Sequence, residues 1–475
     1  MTNATLRLRE SGTTTLSADA LATLSGVLRG HLVFPTDASY DEDRKLWNGM
    51  FDRHPGLIVR CKGPSDVIAT IQFARQHKLL FTVKGGGHGM AGHAAYDGTL
   101  MIDLSLMRGI RVDPVARTLR AQAGCTWGDV DRESQAFSLV VPGGVVADTG
   151  IAGLTLGGGY SWVRRKYGMS IDALLSVDIV TADGRYLTAS ETENPDLFWA
   201  IRGGGGNFGI VTSFEYRAFP LGPEVMLAAA MYPLEDGVKV LRAWRDLVPS
   251  LPDEVTTDAI LWTVPQSAPF PEAIWGRAFV MLAGVYAGGV EEGRQRLQAL
   301  REVGTPFFDM SGPIPWIVLQ GMFDPFFPKG GRYYFKSAFL NSLGDQAIDA
   351  ILSHQAARTS PKALTSIRLM GGAIARPGAS ATGFGNRNAP FLLSIDNLWD
   401  KASEDDAQLA WARAYWNDTQ RFSNGQMYFN FPGALEEGQS LIKNSFGGNH
   451  GRLQSIKAQY DPENMFRMNQ NIVPA

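Results

Sequence analysis

The chain has 475 residues, a formal net charge of −3 and a hydrophobic fraction of 45%. It is long enough to bury the cores of two or three domains. Its charges form no long run of one sign, which excludes the electrostatic pattern of a protein that binds nucleic acid or an anionic membrane and leaves small molecules as the expected partners.

The first ten residues lack the apolar core of a signal peptide, and no window reaches the roughly eighteen apolar residues that a membrane span needs. We therefore expect a cytoplasmic protein that does not bind membranes. Cys61 and Cys125 are far apart and lack metal-ligand spacing. We expect two unpaired thiols, without a disulfide framework or a zinc site.

Short helices and strands alternate over the first 220 residues, which predicts a mixed α/β region. The helix at 64–78 is expected to be capped by Ser65. Further helices are predicted at 126–136 and 195–202, and strands at 79–83, 99–104, 110–112, 118–123, 177–181, 185–187 and 210–216. From residue 220 onward, glycine clusters become rarer and amphipathic helices at 236–248, 290–303 and 405–417 alternate with aromatic-rich strands such as 391–399, which predicts a second domain.

A glycine-rich loop with a histidine at its centre, Phe81–Gly92, follows one of these strands. Four glycines lie within three residues of His88: Gly85, Gly86, Gly87 and Gly89. Residues without a Cβ can adopt positive φ and let the backbone approach a flat or phosphorylated ligand closely. The loop therefore predicts a site for a bulky cofactor.

Simpler interpretations of this loop fail on its context. Gly87-x-Gly89-x-x-Gly92 and Gly204-x-Gly206-x-x-Gly209 match the dinucleotide-binding pattern, but neither lies between a strand and a helix N-terminus as that site requires. No Gly-Lys-Ser/Thr of a P-loop occurs. His88 and His93 lack acidic or sulfur partners, so we predict no metal site and interpret His93 as a solvated or hydrogen-bonded loop residue.

Four motifs in a fixed order carry a more specific signal than any single glycine pattern. They are Lys84-Gly-Gly-Gly-His88, Gly157-Gly-Gly-Tyr160, the segment Asp196–Thr212 and the tail Tyr460–Ile472. Together they resemble the FAD-linked oxidases of the vanillyl-alcohol oxidase superfamily, in particular the berberine bridge enzyme-like branch. The resemblance covers nearly the whole chain.

The resemblance implies an α+β fold with two domains. Residues 1–219 are expected to form a PCMH-type FAD-binding domain of two α/β subdomains. Residues 220–440 are expected to form a substrate-binding domain, an antiparallel sheet covered by helices. The segment 441–475 is expected to return to the FAD domain.

The resemblance also implies a single covalent bond between FAD and the chain. In this family the histidine at the position of His88 bonds to the flavin 8α-methyl group. The cysteine that makes a second bond in many members is replaced by Val146, so we expect His88 to be the only attachment point. The cofactor-binding residues implied are Lys84, Gly85, Gly86, Gly87, His88, Gly89, Gly144, Val146, Thr149, Gly150, Gly153, Gly157, Gly158, Tyr160, Gly209, Val211, Asn469 and Asn471.

The candidate catalytic residues are Tyr428 and Asp396. Sugar and polyketide oxidases of the branch carry Tyr-x-Asn-Tyr, whereas this chain reads Tyr428-Phe-Asn-Phe431, so the second phenol is absent. An unperturbed tyrosine titrates near ~10, and Tyr428 could act as a base only if a cation or hydrogen bonds lowered its pKa. A pocket-wall role for Tyr428 and a structural role for Asp396 are the alternatives.

The function that the resemblance implies is hydride transfer from an alcohol, sugar or amine carbon to FAD, with reoxidation by O2 to give H2O2. Thr149, at the position that gates oxygen, is close in size to the valine of oxidases, which favours this activity. The alternatives are a flavin-dependent dehydrogenase with another acceptor and a flavin-binding protein without turnover. An aromatic cluster is a candidate for an apolar lid or wall over the substrate, with ordinary core packing as the alternative: Trp316, Phe323, Phe326, Phe327, Tyr333, Tyr334 and Phe335.

Overall fold

The structure is a computed structural model that describes residues 3–475. In chain order its strands are β1 Ala4–Arg7, β2 Thr13–Leu16, β3 His31–Val33, β4 Leu57–Arg60, β5 Phe81–Lys84, β6 Leu100–Asp103, β7 Ile110–Asp113, β8 Thr118–Gln122, β9 Leu139–Val140, β10 Leu174–Val180, β11 Tyr186–Ser190, β12 Ile210–Arg217, β13 Phe219–Pro220, β14 Glu224–Pro233, β15 Val255–Thr263, β16 Ala278–Tyr286, β17 Phe308–Asp309, β18 Gly312–Pro315, β19 Arg332–Leu340, β20 Leu364–Leu369 and β21 Phe391–Trp399.

The α-helices are interleaved with these strands. They are α1 Ala18–Val27, α2 Tyr40–Arg44, α3 Pro64–Gln76, α4 Trp127–Gln135, α5 Ile151–Leu156, α6 Arg164–Tyr167, α7 Ser170–Ala173, α8 Pro195–Ile201, α9 Gly237–Leu247, α10 Val290–Arg296, α11 Gln298–Arg301, α12 Trp316–Gln320, α13 Asp345–Ala356, α14 Asp405–Thr419, α15 Gly438–Phe446 and α16 His450–Tyr460.

Two sheets of different character make up the first half of the chain. The first has the order β3-β4-β6-β5, in which β4, β6 and β5 are parallel. The second is antiparallel, with the order β11-β10-β12-β8-β7. The predicted hairpin at 110–123 is confirmed as the pair β7–β8. The His88 loop connects β5 directly to its parallel neighbour β6, so no Rossmann-type helix follows the glycines.

A large antiparallel sheet occupies the second half, with the order β17-β14-β16-β15-β20-β21-β19 and with β18 also paired to β14. Helices α9, α13 and α14 pack against this sheet and against one another. Strand β21 has the bounds that the sequence predicted. The α+β class, with an antiparallel sheet covered by helices, is confirmed.

The C-terminal segment lies against the glycine-rich turn that follows α8. Lys457 Nζ donates a hydrogen bond of 2.7 Å to the carbonyl of Asn207. The side chain of Asn207 in turn donates to Gln470 O (3.1 Å) and accepts from Ile472 N (2.9 Å). Residue 440, the predicted end of the substrate domain, falls within α15, and the domain boundaries stay predictions.

Two local predictions are wrong. Helix α3 starts at Pro64 with Gly63 as its N-cap and without a capping side chain, so Ser65 lies inside the first turn. Proline at the first helical position fixes φ there, so the helix begins at residue 64 as predicted but without a side-chain cap. The predicted helix 290–303 is split into α10 and α11 at Leu297.

The two cysteines are unpaired and buried, as predicted. Among residues 3–475, no helix combines the length and apolarity that crossing a membrane requires.

Candidate active site

A cavity of about 370 Å³ lies between the large sheet and the two glycine-rich loops. Its wall is built from parts of segments 81–94, 144–162, 203–211, 428–432 and 466–470, together with side chains of β15, β20 and β21. Its size is in the range of small-molecule and cofactor sites. The cavity therefore joins elements from both halves of the chain and from the tail.

The two glycine loops cross in direct backbone contact. A Cβ added to Gly86 would lie 2.6 Å from Gly150 Cα, and a Cβ added to Gly150 would lie 2.6 Å from Gly86 N. Gly87, which precedes the histidine, has φ +68°, a conformation that other residues adopt only with strain. Glycine at these positions brings the loops together at His88.

His88 is held by contacts to its edge and to one face. Its Nε2 lies 3.0 Å from Asp148 Oδ1 and 3.4 Å from Thr149 Oγ1. Its ring stacks on Trp47 with a centroid distance of 4.0 Å, and Trp47 stacks in turn on Tyr333 at 3.9 Å. The imidazole is therefore presented in one orientation at the cavity wall.

Three adjacent strands place charged side chains on the wall of the cavity. Leu364, Ser366 and Arg368 line it from β20, as the period of two along a strand requires. Asp258 of β15 lies 3.9 Å from Arg368 Nε, and Asp396 of β21 lies 3.7 Å from Arg368 Nη2. Both distances exceed a hydrogen bond, and Arg368 Nη1 has no partner among the described residues.

The two carboxylates differ in their other partners. Asp258 is paired with the buried guanidinium of Arg164. Asp396 accepts a hydrogen bond from the Ser394 hydroxyl. Burial raises the pKa of Asp396, while the positive charge of Arg368 acts in the opposite direction.

The Tyr428 hydroxyl accepts two hydrogen bonds, from Gly159 N (3.0 Å) and from Asn430 Nδ2 (2.8 Å). Burial nevertheless raises the pKa of Tyr428 to about 12, although both bonds and the charge of Arg368 lower it. The phenol is therefore neutral near pH 7. With both acceptor positions filled, its own proton is available for a bond to a ligand.

Tyr160 lines the cavity beside Tyr428, with ring centroids 5.1 Å apart. The Arg368 guanidinium lies 5.0 Å from the Tyr160 ring centroid and 5.5 Å from that of Phe431. Burial raises the pKa of Tyr160 well above its ordinary value. Its hydroxyl has no hydrogen-bond partner within residues 3–475.

His93 is hydrogen-bonded, with Nδ1 3.0 Å from Tyr96 Oη; of the two predicted states this is the one found. Burial lowers its pKa to about 4, so the ring is neutral. The described residues contain no group of three His, Cys, Asp or Glu side chains that could hold a metal ion.

Two family models match parts of the chain. The family model described as FAD binding domain matches residues 55–190, and the model described as berberine and berberine like matches residues 427–473. The chain thus carries the two domains found in berberine bridge enzyme-like FAD-linked oxidoreductases. It is thus an FAD-dependent oxidoreductase.

Individual relatives match the chain over different lengths. The FAD-linked oxidoreductase YgaK of Bacillus subtilis is 29% identical over 457 residues, covering 94% of this chain and 97% of its own. (R)-6-Hydroxynicotine oxidase of Paenarthrobacter nicotinovorans is 36% identical over 201 residues, or 42% of this chain and 44% of its own. The crystal structure of 6-hydroxy-D-nicotine oxidase from Arthrobacter nicotinovorans superposes with a TM-score of 0.85 at 24% identity, over 94% of this chain and 98% of that one. This last likeness shows the shared fold.

The cavity fits FAD. Seven residues of its walls carry a buried polar atom without a partner among the described residues, including Asn469 Oδ1 and His93 Nε2. Buried polar atoms are normally satisfied, and the hydroxyl and amide groups of FAD offer partners for such atoms. The exposed backbone of the glycine segments provides further donors.

Most of the residues predicted from the sequence line this one cavity. They are Gly85, Gly86, Gly87, His88, Gly89, Gly144, Val146, Thr149, Gly150, Gly153, Gly157, Tyr160, Gly209, Val211, Asp396, Tyr428 and Asn469. Lys84, Gly158 and Asn471 are not among the lining residues. Lys84 Nζ is instead bonded to the carbonyl of Asp43 (2.5 Å) and lies 3.5 Å from Asp103.

The predicted aromatic lid is wrong for part of the cluster. Phe323, Phe327 and Phe335 line the cavity, whereas Trp316 packs in the core and donates a 2.8 Å bond to Asp131. Tyr334 is bonded to Glu436, outside the cavity.

Sequence reasoning missed Arg368, Asp148 and Trp47. The polar residues of β20, in the run Thr365-Ser-Ile-Arg368 between leucines, were a usable signal, since polar side chains in a buried strand need a reason. Trp47 lies 41 residues before His88 in the sequence and no local pattern connects the two.

Proposed function

We propose that this chain is a flavin-dependent oxidase that takes a hydride from an amine, alcohol or sugar carbon of a small molecule. In this proposal FAD is attached through His88, and O2 reoxidises it with release of H2O2. The observation that carries the proposal is that one cavity joins the His88 loop to Asp396, Arg368 and Tyr428. Hydride removal requires a proton acceptor and a hydride acceptor at the same substrate.

The chain would hold the cofactor mainly through glycine backbone and through the tail. The segments 85–89 and 144–157 face the cavity from one side, and Gly209, Val211 and Asn469 face it from the other. When bound, FAD supplies the hydride acceptor, and an electron-withdrawing 8α-imidazole raises its reduction potential. Val146 lines the cavity without a thiol, which supports a single attachment.

Asp396 is the candidate proton acceptor. It lies in the cavity wall and is at ion-pair distance from Arg368, 3.7 Å, so a cation is present to stabilise its ionised form. Asp258 is less available because Arg164 already pairs with it. In this proposal Asp396 accepts the proton that leaves the substrate oxygen or nitrogen during oxidation.

Tyr428 is the candidate hydrogen-bond donor that positions the substrate. Its two acceptor positions are filled by Gly159 N and Asn430 Nδ2, and its pKa of about 12 keeps the proton on the hydroxyl. A base as strong as a phenolate is therefore missing. Oxidation of a neutral amine needs no strong base, so the site favours amines over sugars, and one relative is named for oxidation of an amine, 6-hydroxynicotine.

Thr149 supports an oxidase rather than a dehydrogenase. It lines the cavity, and its hydroxyl lies 3.4 Å from His88 Nε2. A side chain of about valine size at this position leaves more room for O2 than a leucine does.

The proposal is tested by anaerobic flavin bleaching across cyclic amines, secondary alcohols and sugars, followed by admission of air. We expect a cyclic or secondary amine to bleach the flavin, and air to restore the oxidised spectrum with one H2O2 per substrate. Turnover with a dye or quinone but no peroxide under air would identify a dehydrogenase. If no compound of the three classes bleaches the flavin, the proposed activity is refuted.

A further inference from the structure

Asp148 is the acidic group in direct contact with His88. Its Oδ1 lies 3.0 Å from His88 Nε2, and the two side chains are 47% and 15% exposed, respectively. A carboxylate only accepts hydrogen bonds. In the neutral imidazole the contact therefore places the proton on Nε2 and leaves the lone pair on Nδ1.

The loop that carries Asp148 is fixed on both sides of this residue. The amide of Ala147 donates to Asp324 Oδ1 at 3.0 Å. The carbonyls of Ala147 and Thr149 accept from Gly128 N (2.8 Å) and Trp127 N (2.9 Å) at the start of α4. Asp148 is thus presented to His88 by a backbone that α4 and Asp324 hold in place.

The opposite constraint on the imidazole comes from Trp47. The two rings stack with an interplanar angle of 22°, and Trp47 N donates to Gly87 O at 3.0 Å. Rotation of the histidine ring about its own axis would break the Asp148 contact, while tilting would break the stack. Both ring nitrogens therefore have defined roles.

We propose that Asp148 is a positioning residue for the covalent attachment of FAD, and that it directs Nδ1 of His88 to the 8α carbon by accepting the Nε2 proton. This inference rests on the attachment through His88 proposed above. The new element is Asp148, which selects the reacting nitrogen of His88 and accepts the Nε2 proton.

The step balances in atoms and electrons. A bond forms between His88 Nδ1 and the 8α carbon, and that carbon loses one proton to solvent, which also supplies the two protons of the H2O2 formed at the end. The Nε2 proton passes to Asp148 and then to solvent, so that the alkylated imidazole is neutral. The two electrons of the broken C–H bond remain on the flavin, which is the oxidant, and dissolved O2 accepts them as H2O2.

The test is reconstitution of apo-protein with FAD, followed over time by acid precipitation and by the intact mass of the polypeptide. For Asp148→Asn, which keeps the size and an acceptor but not the charge, we expect non-covalent FAD binding and covalent attachment at least tenfold slower than in the parent protein. Asp148→Glu should restore attachment in part. Asp246→Asn, a surface carboxylate that is 68% exposed, is the matched control and should attach FAD at the parent rate.

The linkage position is a second readout. Proteolysis and NMR of the flavin peptide should show Nδ1 substitution, and linkage through Nε2 would overturn the inference. Attachment in Asp148→Asn at the parent rate would overturn it as well. If the parent protein oxidises substrate with FAD that acid releases completely, the covalent attachment and this inference both fall while the oxidase activity stands.

Discussion

At the scale of single residues, the polar groups of the cavity are distinguished by the partners they already have. Asp258 is paired with Arg164, and Tyr428 has both of its acceptor positions filled. Asp396 has one hydroxyl donor and a more distant cation. Asp396 is therefore the carboxylate that can take up a proton with the smallest rearrangement.

Replacing Asp396 by Asn should slow anaerobic flavin reduction by substrate by roughly 10²–10⁴-fold, because the amide cannot accept the proton. Stopped-flow spectroscopy of the flavin measures this rate directly. Asp400→Asn, at a site that is 69% exposed, should leave it unchanged. An unaltered rate in Asp396→Asn would remove this residue from the mechanism.

The same residue predicts a pH dependence. The carboxyl must be ionised to act, and burial raises its pKa above the ordinary value. The reduction rate should therefore fall as the pH drops through this raised pKa, at a higher pH than for an unperturbed aspartate. In Asp396→Asn the acid limb should be absent; a limb that persists there would belong to another group.

At the scale of elements, the two glycine loops can cross only because Gly86 and Gly150 have no side chains. Gly86→Ala would place a Cβ 2.6 Å from Gly150 Cα, and backbone on both sides cannot yield without separating the loops. We expect a loss of about 1–3 kcal/mol in the free energy of unfolding of the apo-protein and a lower FAD content.

The matched control is Gly89→Ala in the same loop, where a Cβ would meet nothing within 4 Å. Urea denaturation of the apo-proteins compares the two variants without interference from the cofactor. Equal stability of Gly86→Ala and Gly89→Ala would show that the crossing tolerates a side chain.

The contact between α4 and α12 predicts a second pH effect. Asp131 of α4 accepts from Trp316 Nε1 (2.8 Å) and Gln320 Nε2 (3.0 Å) of α12. Burial raises the pKa of Asp131 to about 6, although both bonds lower it. The folded protein thus binds this proton more tightly than the unfolded chain does.

Stability from Asp131 should therefore be greatest below about pH 4 and be lost as the pH rises to about 6. Two pKa units correspond to roughly 3 kcal/mol at most. Urea denaturation from pH 4.5 to 6.5 should show this decline, and Asp131→Asn should flatten it. Parallel curves for the two proteins would assign the decline to other groups.

At the scale of the whole molecule, the C-terminal tail contains a buried ion pair whose lysine also bonds to the first half of the chain. The Lys457 and Asp461 side chains are 2.6 Å apart and 0% exposed. Lys457 also bonds the carbonyls of Asn207 and Phe466, at 2.7 and 3.0 Å. The pair thereby fixes the turn that faces the cavity.

Lys457→Met should destabilise the protein by about 3–5 kcal/mol, because Asp461 would be left as a buried charge without a cation. Chemical denaturation measures the change. Lys443→Met, at an exposed position of α15, is the control and should change stability by less than about 0.5 kcal/mol. Similar values for both would mean that the tail is held by other contacts.

The α+β class, the β7–β8 hairpin, strand β21 and the glycine-rich part of the cavity wall could be predicted from the sequence, because glycine motifs and strand periodicity are local signals. The start of α3 at residue 64 was predicted, but its N-cap is Gly63 and not Ser65. The contacts of His88 with Asp148 and Trp47 arise from chain crossings over 60 and 41 residues. Such juxtapositions depend on the tertiary fold, and no periodicity in the sequence contains them.

Segment 47–49 connects the His88 loop to the large sheet. Asn48 Nδ2 donates to Met90 O (3.1 Å) and to Tyr333 O (2.8 Å), and Gly49 N donates to Gly331 O (2.7 Å). Under the proposed attachment, His88 reaches its reactive orientation only after the two halves have docked through these bonds. The tethered flavin would then mark chains that have completed folding, so the yellow colour of the denatured polypeptide would report correct assembly of the two halves.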